Sequence, residues 1–248
     1  MKEAYGVPVV ESVEEFVSMP ERLGIKPWVQ KHPPMGLDAY RAVAHTADLL
    51  AELNRFAPKG EVMLLEQPDG KPFTGFRSVG RDWASVFALV PDPDYPLQEE
   101  RRMMPVVVEW KHGAEIIAIT PPCGVPKKGE SMEECGRREF TEETGFELDG
   151  EVEALTPEPI AVSGRQTTQS YMPFLGYVKE PVVRGPSRLD DTEFLKLIFV
   201  PLSVWVQAME AGLVRECSAI STTYLAMRRL GLISFRYPYG SGRIKMMI

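Results

Sequence analysis

Cysteine and histidine are scarce, at three each in 248 residues. Cys123, Cys135 and Cys217 are an odd set without metal-ligand spacing, which excludes a disulfide-stapled scaffold and predicts a reducing, cytoplasmic setting. Long apolar runs are absent: no window approaches the roughly 18 residues of a spanning helix. Met1 to Ser18 alternates acidic and apolar residues without a basic start, so no targeting segment is expected. There is no repeat and no low-complexity tract. The charge excess is small, 35 Asp and Glu against 28 Lys and Arg for a net −7, and its acidic sign argues against a broad nucleic-acid or anionic-membrane surface. What is present is 44% hydrophobic residues, enough for a buried core in one large domain or a smaller domain with an appendage.

Twenty-two prolines divide the chain into short segments, clustering at Pro20 to Pro34, Pro91 to Pro105, Pro121 to Pro126 and Pro181 to Pro186. Residues 1 to about 36 carry little periodicity. Leu37 to Phe56 repeats apolar residues at three and four, predicting an amphipathic helix. Glu61 to Gln67 and Lys71 to Arg77 flank Pro68, Asp69 and Gly70, predicting a hairpin. Short β-branched runs predict buried strands at Ala84 to Val90, Val106 to Trp110 and Ile116 to Thr120. Further strands are predicted at Tyr171 to Val178 and Phe194 to Val200, and helices at Ser131 to Thr144, Leu202 to Ala211 and Ser218 to Leu230. Without a strict βαβ rhythm, the order points to a mixed sheet sandwiched by helices. The expected division is an N-terminal extension over 1–78, a main domain over 79–232 and a C-terminal arm over 233–248.

Ser131 to Gly145 carries both helix-end signals. Ser131 and Glu134 form a capping box, and Gly145 stands where a left-handed residue stops the helix. At about 100° per residue, Met132, Gly136 and Phe140 share a stripe with Cys135 beside it, and Glu139 and Glu143 fall in its middle with Glu142 at its edge. Arg138, one turn before Glu142, is expected to orient that carboxylate alone. Glu139 and Glu143 are left to repel one another in an apolar setting, which costs several kcal/mol unless a partner is found. A hard dication such as Mg²⁺ or Mn²⁺ relieves such a cluster. Glu runs are more often solvated faces, so the helix alone does not decide the matter.

Its surroundings do. Gly124, Glu130, Arg138, Glu139, Phe140, Glu142, Glu143, Gly145 and Phe146 reproduce, position for position, the Nudix box G-x5-E-x7-R-E-U-x-E-E-x-G-U, with U apolar. Its seven specified residues match by chance on the order of once in a hundred million starting points. Over roughly Arg81 to Leu230 the chain resembles the ADP-ribose and ADP-sugar pyrophosphatase branch of the Nudix hydrolases. Val106-Val-Val-Glu-Trp-Lys-His112 resembles its apolar-apolar-Glu-Gln-x-Arg strand, Pro121-Pro-Cys-Gly124 its Pro-Ala-Gly approach to the box, and Ser163-Gly164 its Ser-Pro-Gly covering loop. Phe194 to Leu202 and Ala211 to Ile220 resemble its last strand and final helices.

The resemblance implies an α/β/α sandwich and a Mg²⁺-dependent enzyme, with Mn²⁺ as substitute, that splits a nucleoside diphosphate linked to another group into a nucleoside monophosphate and a sugar phosphate. It implies metal ligation by Glu139, Glu142, Glu143 and the carbonyl of Cys123, with Glu130 near the metals and Arg138 holding the cluster. Glu143 and Glu142 are the candidate bases. Substrate contacts fall to Lys111, His112, Gly124 and Arg165, and a homodimer formed through an N-terminal antiparallel sheet is implied, with Glu61 to Arg77 as the candidate hairpin.

Two positions depart from the branch. Its covering loop carries a catalytic Glu after the Gly, whereas Gly164-Arg-Gln-Thr-Thr-Gln-Ser170 has no carboxylate. Glu143 or Glu142 then serves as base, another loop supplies it, or turnover is poor, which opens the alternative of a nucleotide-sugar binding or regulatory module. Lys111-His112 also stands where the branch has its substrate-contacting Arg. Gly136, costing about 1 kcal/mol inside a helix, is explained by close packing on the sheet. His32 and His45 have no partner at metal spacing and are expected to be structural or exposed. Glu130 to Glu153 holds ten acidic residues against Arg137 and Arg138, while the remaining 26 basic and 25 acidic residues nearly cancel. The net charge is therefore a local carboxylate cluster on a neutral protein.

Overall fold

The computed structural model describes residues 2–30, 33–34, 37–43, 59–98, 101–164, 166–189, 193–236 and 245–247. The chain divides into two units: Met1–Pro27 with Asp82–Ile160 and Ser170–Ile248, and Trp28–Arg81 with Ala161–Gln169. Residues 1–27 thus join the unit containing the box, where the sequence reading set 1–78 apart.

In the larger unit, β1 (Glu3–Ala4) and β2 (Val7–Pro8) form a tight antiparallel pair, and Val10 N–H donates to the Phe199 carbonyl at 2.8 Å. Next comes a helix that periodicity did not reveal, α1 (Val13–Arg22), whose N-cap Ser12 accepts from the Glu15 N–H and which buries Phe16 and Met19. Pro20 sits in its last turn; the proline cluster had been read as a break.

Two sheets carry the core. In one, β11 (Ser170–Tyr177) runs parallel to β5 (Trp83–Leu89) and antiparallel to β9 (Glu153–Ala154), and β5 pairs antiparallel with β8 (Cys123–Gly124). In the other, β6 (Met103–Lys111) lies between β12 (Leu195–Pro201) and β7 (Ile116–Thr120), all antiparallel. One parallel pair among antiparallel ones makes the mixed arrangement the sequence predicts. β6 begins three residues before its predicted start and includes Pro105. That proline faces Phe199 of β12 and lies beyond Val107, the last residue paired with β7, so no ladder bond is lost on that side.

Both faces of β5 are covered, as its unbroken apolar run requires. Ala84, Val86 and Ala88 pack in a cluster with Phe140, Cys135 and Phe174, beneath α3 (Met132–Thr144). Phe87 packs with Leu175, Trp205, Ala219 and Ala226, beneath α4 (Leu202–Glu210) and α5 (Cys217–Arg229). This is the predicted helix–sheet–helix sandwich. Gly136 lets α3 descend, since a Cβ there would lie 3.1 Å from Val86 and 3.4 Å from Phe174. The short strands β13 (Ser234–Arg236) and β14 (Lys245–Met247) pair near the C-terminus.

In the smaller unit, α2 (Leu37–Val43) is the described part of the helix predicted over Leu37 to Phe56; the remainder, with His32 and His45, lies outside the described residues. β3 (Lys59–Glu66) and β4 (Pro72–Val79) form the predicted hairpin, turning on Gly70 at φ 82°. Val62, Leu64 and Phe76 are exposed on it at 73%, 81% and 65%. The covering loop joins the same unit, Thr168 N–H donating to the Ser78 carbonyl at 2.9 Å. The short strand β10 (Ile160–Ala161) marks the change of unit.

Candidate active site

Local chemistry sets α3 in place. Glu134 N–H donates to Ser131 Oγ at 3.1 Å and Ser131 N–H to Glu134 Oε2 at 2.8 Å, closing the capping box. At the other end Gly145 adopts φ 77°. The stripe then points Glu139 and Glu143 inward, at 8% and 4% exposure, against the strand and loop that begin the box.

Gly124 makes that approach possible. A Cβ on it would lie 2.1 Å from Glu139 Cδ, so the carboxylate occupies the volume any side chain would fill. The Cys135 thiol donates to the Gly124 carbonyl at 3.3 Å, and Cys123 N–H donates to Glu143 Oε2 at 3.2 Å. The loop is thereby bound to the helix on both sides of the glycine. Burial pushes the Cys135 thiol up to about 12 and raises Cys123 further, so both stay protonated and neither is a nucleophile.

Arg138 does more than its spacing implied. It grips Glu130 through two bonds, Nε to Oε1 at 2.7 Å and Nη2 to Oε2 at 2.8 Å, and donates to Val125 O at 3.2 Å. Its Nη1 reaches Glu142 Oε2 and Glu139 Oε1, each at 2.8 Å. The expectation that it serves Glu142 alone is corrected: the loop brings Glu130 back to it, and Glu139 bends toward it. The hydrogen bond from Arg138 holds Glu130 below the ordinary carboxylate range.

The inward pair behaves differently. Burial raises Glu139 despite its bond to Arg138. Burial raises Glu143 well above the ordinary range, reinforced by the charges of Glu109, Glu139 and Glu193 and opposed by Lys111. Glu109 and Lys111 alternate with Val107 along β6 and so share the face on which Val107 packs with Phe140. Lys111 Nζ lies 2.5 Å from Glu109 Oε1.

The residues named from sequence divide accordingly. Cys123, Gly124, Glu130, Arg138, Glu139, Glu142 and Glu143 converge. Lys111 faces the pair as well, its ammonium on Glu109 and its charge opposing the rise at Glu143; His112 is exposed in the turn after β6, and Arg165 lies outside the described residues. Glu109 and Glu193 were missed. Glu109 stands within the strand already singled out, and period-two alternation from Lys111 would have found it; Glu193 carries no local signal.

Among the described residues no group of three or more His, Cys, Asp and Glu already stands as a metal-holding array, because Arg138 gathers Glu130, Glu139 and Glu142 onto its own nitrogens. The donor set nevertheless fits a hard dication. It is all oxygen, and its two buried carboxylates are pressed toward the neutral form by burial and by one another, a pressure that a nearby dication reverses.

No curated protein matches the chain in sequence. Among solved structures, a crystal structure of an ADP compounds hydrolase superposes with a TM-score of 0.58 at 18% identity, covering 71% of this chain and 87% of that one; the likeness is one of fold. A Nudix-domain family model matches residues 83–216, more than half of the chain, and that span holds Gly124, the Arg138 hub and all four box carboxylates: the chain belongs to the Nudix family.

Proposed function

We propose that this Nudix hydrolase cleaves the diphosphate of a nucleoside diphosphate linked to a second moiety, of the ADP-ribose or ADP-sugar type, releasing a nucleoside monophosphate and a sugar phosphate. The observation that carries this reading is the convergence of Glu130, Glu139, Glu142 and Glu143 on a glycine-bearing loop, two of them buried. Nudix hydrolases generally use divalent metal ions, with Mg²⁺ the expected ion and Mn²⁺ its substitute. Glu139, Glu142, Glu143 and the Cys123 carbonyl would hold it, with Glu130 alongside. Bound there, the metal supplies charge neutralisation at the diphosphate and a lowered pKa for the attacking water.

The chain's own groups do the rest. Arg138 keeps Glu130 ionised and aims Glu142, Gly124 leaves room for carboxylate and substrate oxygens, and Glu143, held by Cys123 N–H, accepts the proton of the attacking water. The ADP preference is supported by the strand and loop resemblances around Glu109 and Ser163 and by the fold shared with an ADP compounds hydrolase. The exposed apolar residues of the β3–β4 hairpin support a homodimer, and the three free cysteines support a reducing, cytoplasmic location.

Incubation with Mg²⁺ or Mn²⁺ and ADP-ribose, ADP-glucose, NADH or dinucleoside polyphosphates is expected to release a monophosphate. Glu143→Gln is expected to lower kcat by about 100-fold or more. No cleavage of any diphosphate, or undiminished turnover in Glu143→Gln, would sink the catalytic reading. One observation favours a second reading, a nucleotide-sugar binding module: the covering loop from Gly164 to Ser170 has no carboxylate. Calorimetry that finds tight ADP-ribose binding without turnover would establish it.

A further inference from the structure

We propose that residues 184–188, between β11 and β12, form a clamp that positions Glu142 and Glu143 from behind α3, with Arg184 and Ser187 as its positioning residues. This rests on the hydrolytic reading above. A helix leaves its last carbonyls without intrahelical donors, and local turns usually serve them. Here Gly145 N–H serves the Thr141 carbonyl at 2.9 Å, and the next four carbonyls are served from forty residues away in sequence. Arg188 N–H donates to Glu142 O at 2.7 Å, Ser187 Oγ to Glu143 O at 3.2 Å, Arg184 Nε to Thr144 O at 3.0 Å, and Gly185 N–H to Gly145 O at 2.7 Å. Arg184 Nη2 lies 3.4 Å from Ser187 Oγ, tying two of the donors together.

Charge follows the same logic. α3 has no basic residue in its last turn, and the Arg184 guanidinium supplies the cation that the negative end of the helix dipole favours. The backbones meet this closely because residue 145 is a glycine: a Cβ on it would lie 2.2 Å from the Gly185 carbonyl oxygen. Glu142 and Glu143 are therefore held twice, their side chains by Arg138 and Cys123 N–H and their carbonyls by the clamp. A displacement of about 1 Å at such groups costs on the order of 100-fold in rate, so the clamp bears on kcat more than on substrate affinity.

The test compares Ser187→Ala and Arg184→Met with the conservative Ser187→Thr and Arg184→Lys. Thr156→Ala is the control, deleting a hydroxyl-to-carbonyl bond of 2.9 Å to Glu158 in a loop outside the site. Wild-type turnover on the diphosphate panel is measured first; its absence counts against the hydrolytic reading alone, and the clamp is then judged by Mn²⁺ binding to the free chain, followed by electron paramagnetic resonance. We expect Ser187→Ala to lower kcat about 2- to 10-fold and Arg184→Met about 10- to 100-fold, with KM within twofold. Mn²⁺ affinity should fall in the same order, Ser187→Thr and Arg184→Lys should recover most of both losses, and Thr156→Ala should match the wild type. Wild-type kcat and Mn²⁺ affinity in Ser187→Ala and Arg184→Met would overturn the proposal. So would a lowered melting temperature in those variants with kcat and Mn²⁺ affinity intact.

Discussion

The two ends of α3 are finished by different means. At the N-terminus Ser131 and Glu134, three residues apart, satisfy one another's backbone N–H groups. At the C-terminus the carbonyls of Glu142 to Gly145 are satisfied by Arg184, Gly185, Ser187 and Arg188. The first end is a local structure that could form early and alone; the second exists only once β11 has folded and the chain has returned. It is the second end that carries Glu142 and Glu143, so the turn that bears these two box carboxylates depends on tertiary contact.

Breaking the distant end should have the largest effect. In Gly145→Ala the new methyl meets the Gly185 carbonyl at 2.2 Å and the residue must hold φ 77°. Left-handed strain of about 1–2 kcal/mol with overpacking of about 1–3 kcal/mol gives a loss of about 3 kcal/mol. The corresponding fall in melting temperature is about 6–12 °C, readable by calorimetry.

A second comparison sets the buried Glu139 and Glu143 against the more open Glu130, and pH separates them. Glu139 and Glu143 have folded pKa values raised by burial. The folded state therefore holds protons that the unfolded state releases, and the stability this contributes is complete below the unfolded carboxyl pKa and lost as pH rises through the folded value. Glu130 is lowered by Arg138, so its contribution is present above the unfolded pKa and lost as pH falls through the folded one. In metal-free protein, urea midpoints should decline as pH rises above the ordinary carboxyl range, by up to about 1.4 kcal/mol per pH unit for each such group. Glu143→Gln should flatten that decline. A decline identical in Glu143→Gln would show that the strain lies elsewhere.

The smallest effect is expected at the local end. Ser131→Ala removes one cap, worth about 1 kcal/mol, or about 2–4 °C in melting temperature, with kcat nearly unchanged because Ser131 is three turns from Glu143. A loss of activity as large as that of Arg184→Met would erase the distinction between the two ends.

Legibility in the sequence followed the same division. The strands β5, β7, β11 and β12, the helices α3, α4 and α5, the hairpin turn at Gly70 and the capping box were all readable, because each depends on neighbours within a few residues. α1 was passed over although Ser12 and Glu15 carry an S-x-x-E signal, since residues 1 to about 36 show little periodicity; Pro20 gives up one N–H donor near the helix end, and the burial of Phe16 and Met19 holds the helix against that loss. The early start of β6 was hidden by Pro105, which is admissible only because β7 has already ended beside it. Of the site, the box residues were legible as a motif. That Arg138 holds the carboxylate cluster came with the motif; that it grips Glu130 through two bonds, and that Glu109 and Glu193 press on Glu143, did not.

By itself the sequence determined the box helix, its start and stop signals, the inward angle of Glu139 and Glu143 and the membership of the Nudix family, because helical periodicity and motif spacing are properties of consecutive residues. Tertiary structure alone decided which charges face one another: Glu130 against Arg138, Glu193 against Glu143, and residues 184–188 against the last carbonyls of α3. Those partners lie on separate elements, and the energy of a charge or an unpaired carbonyl depends on what surrounds it in space.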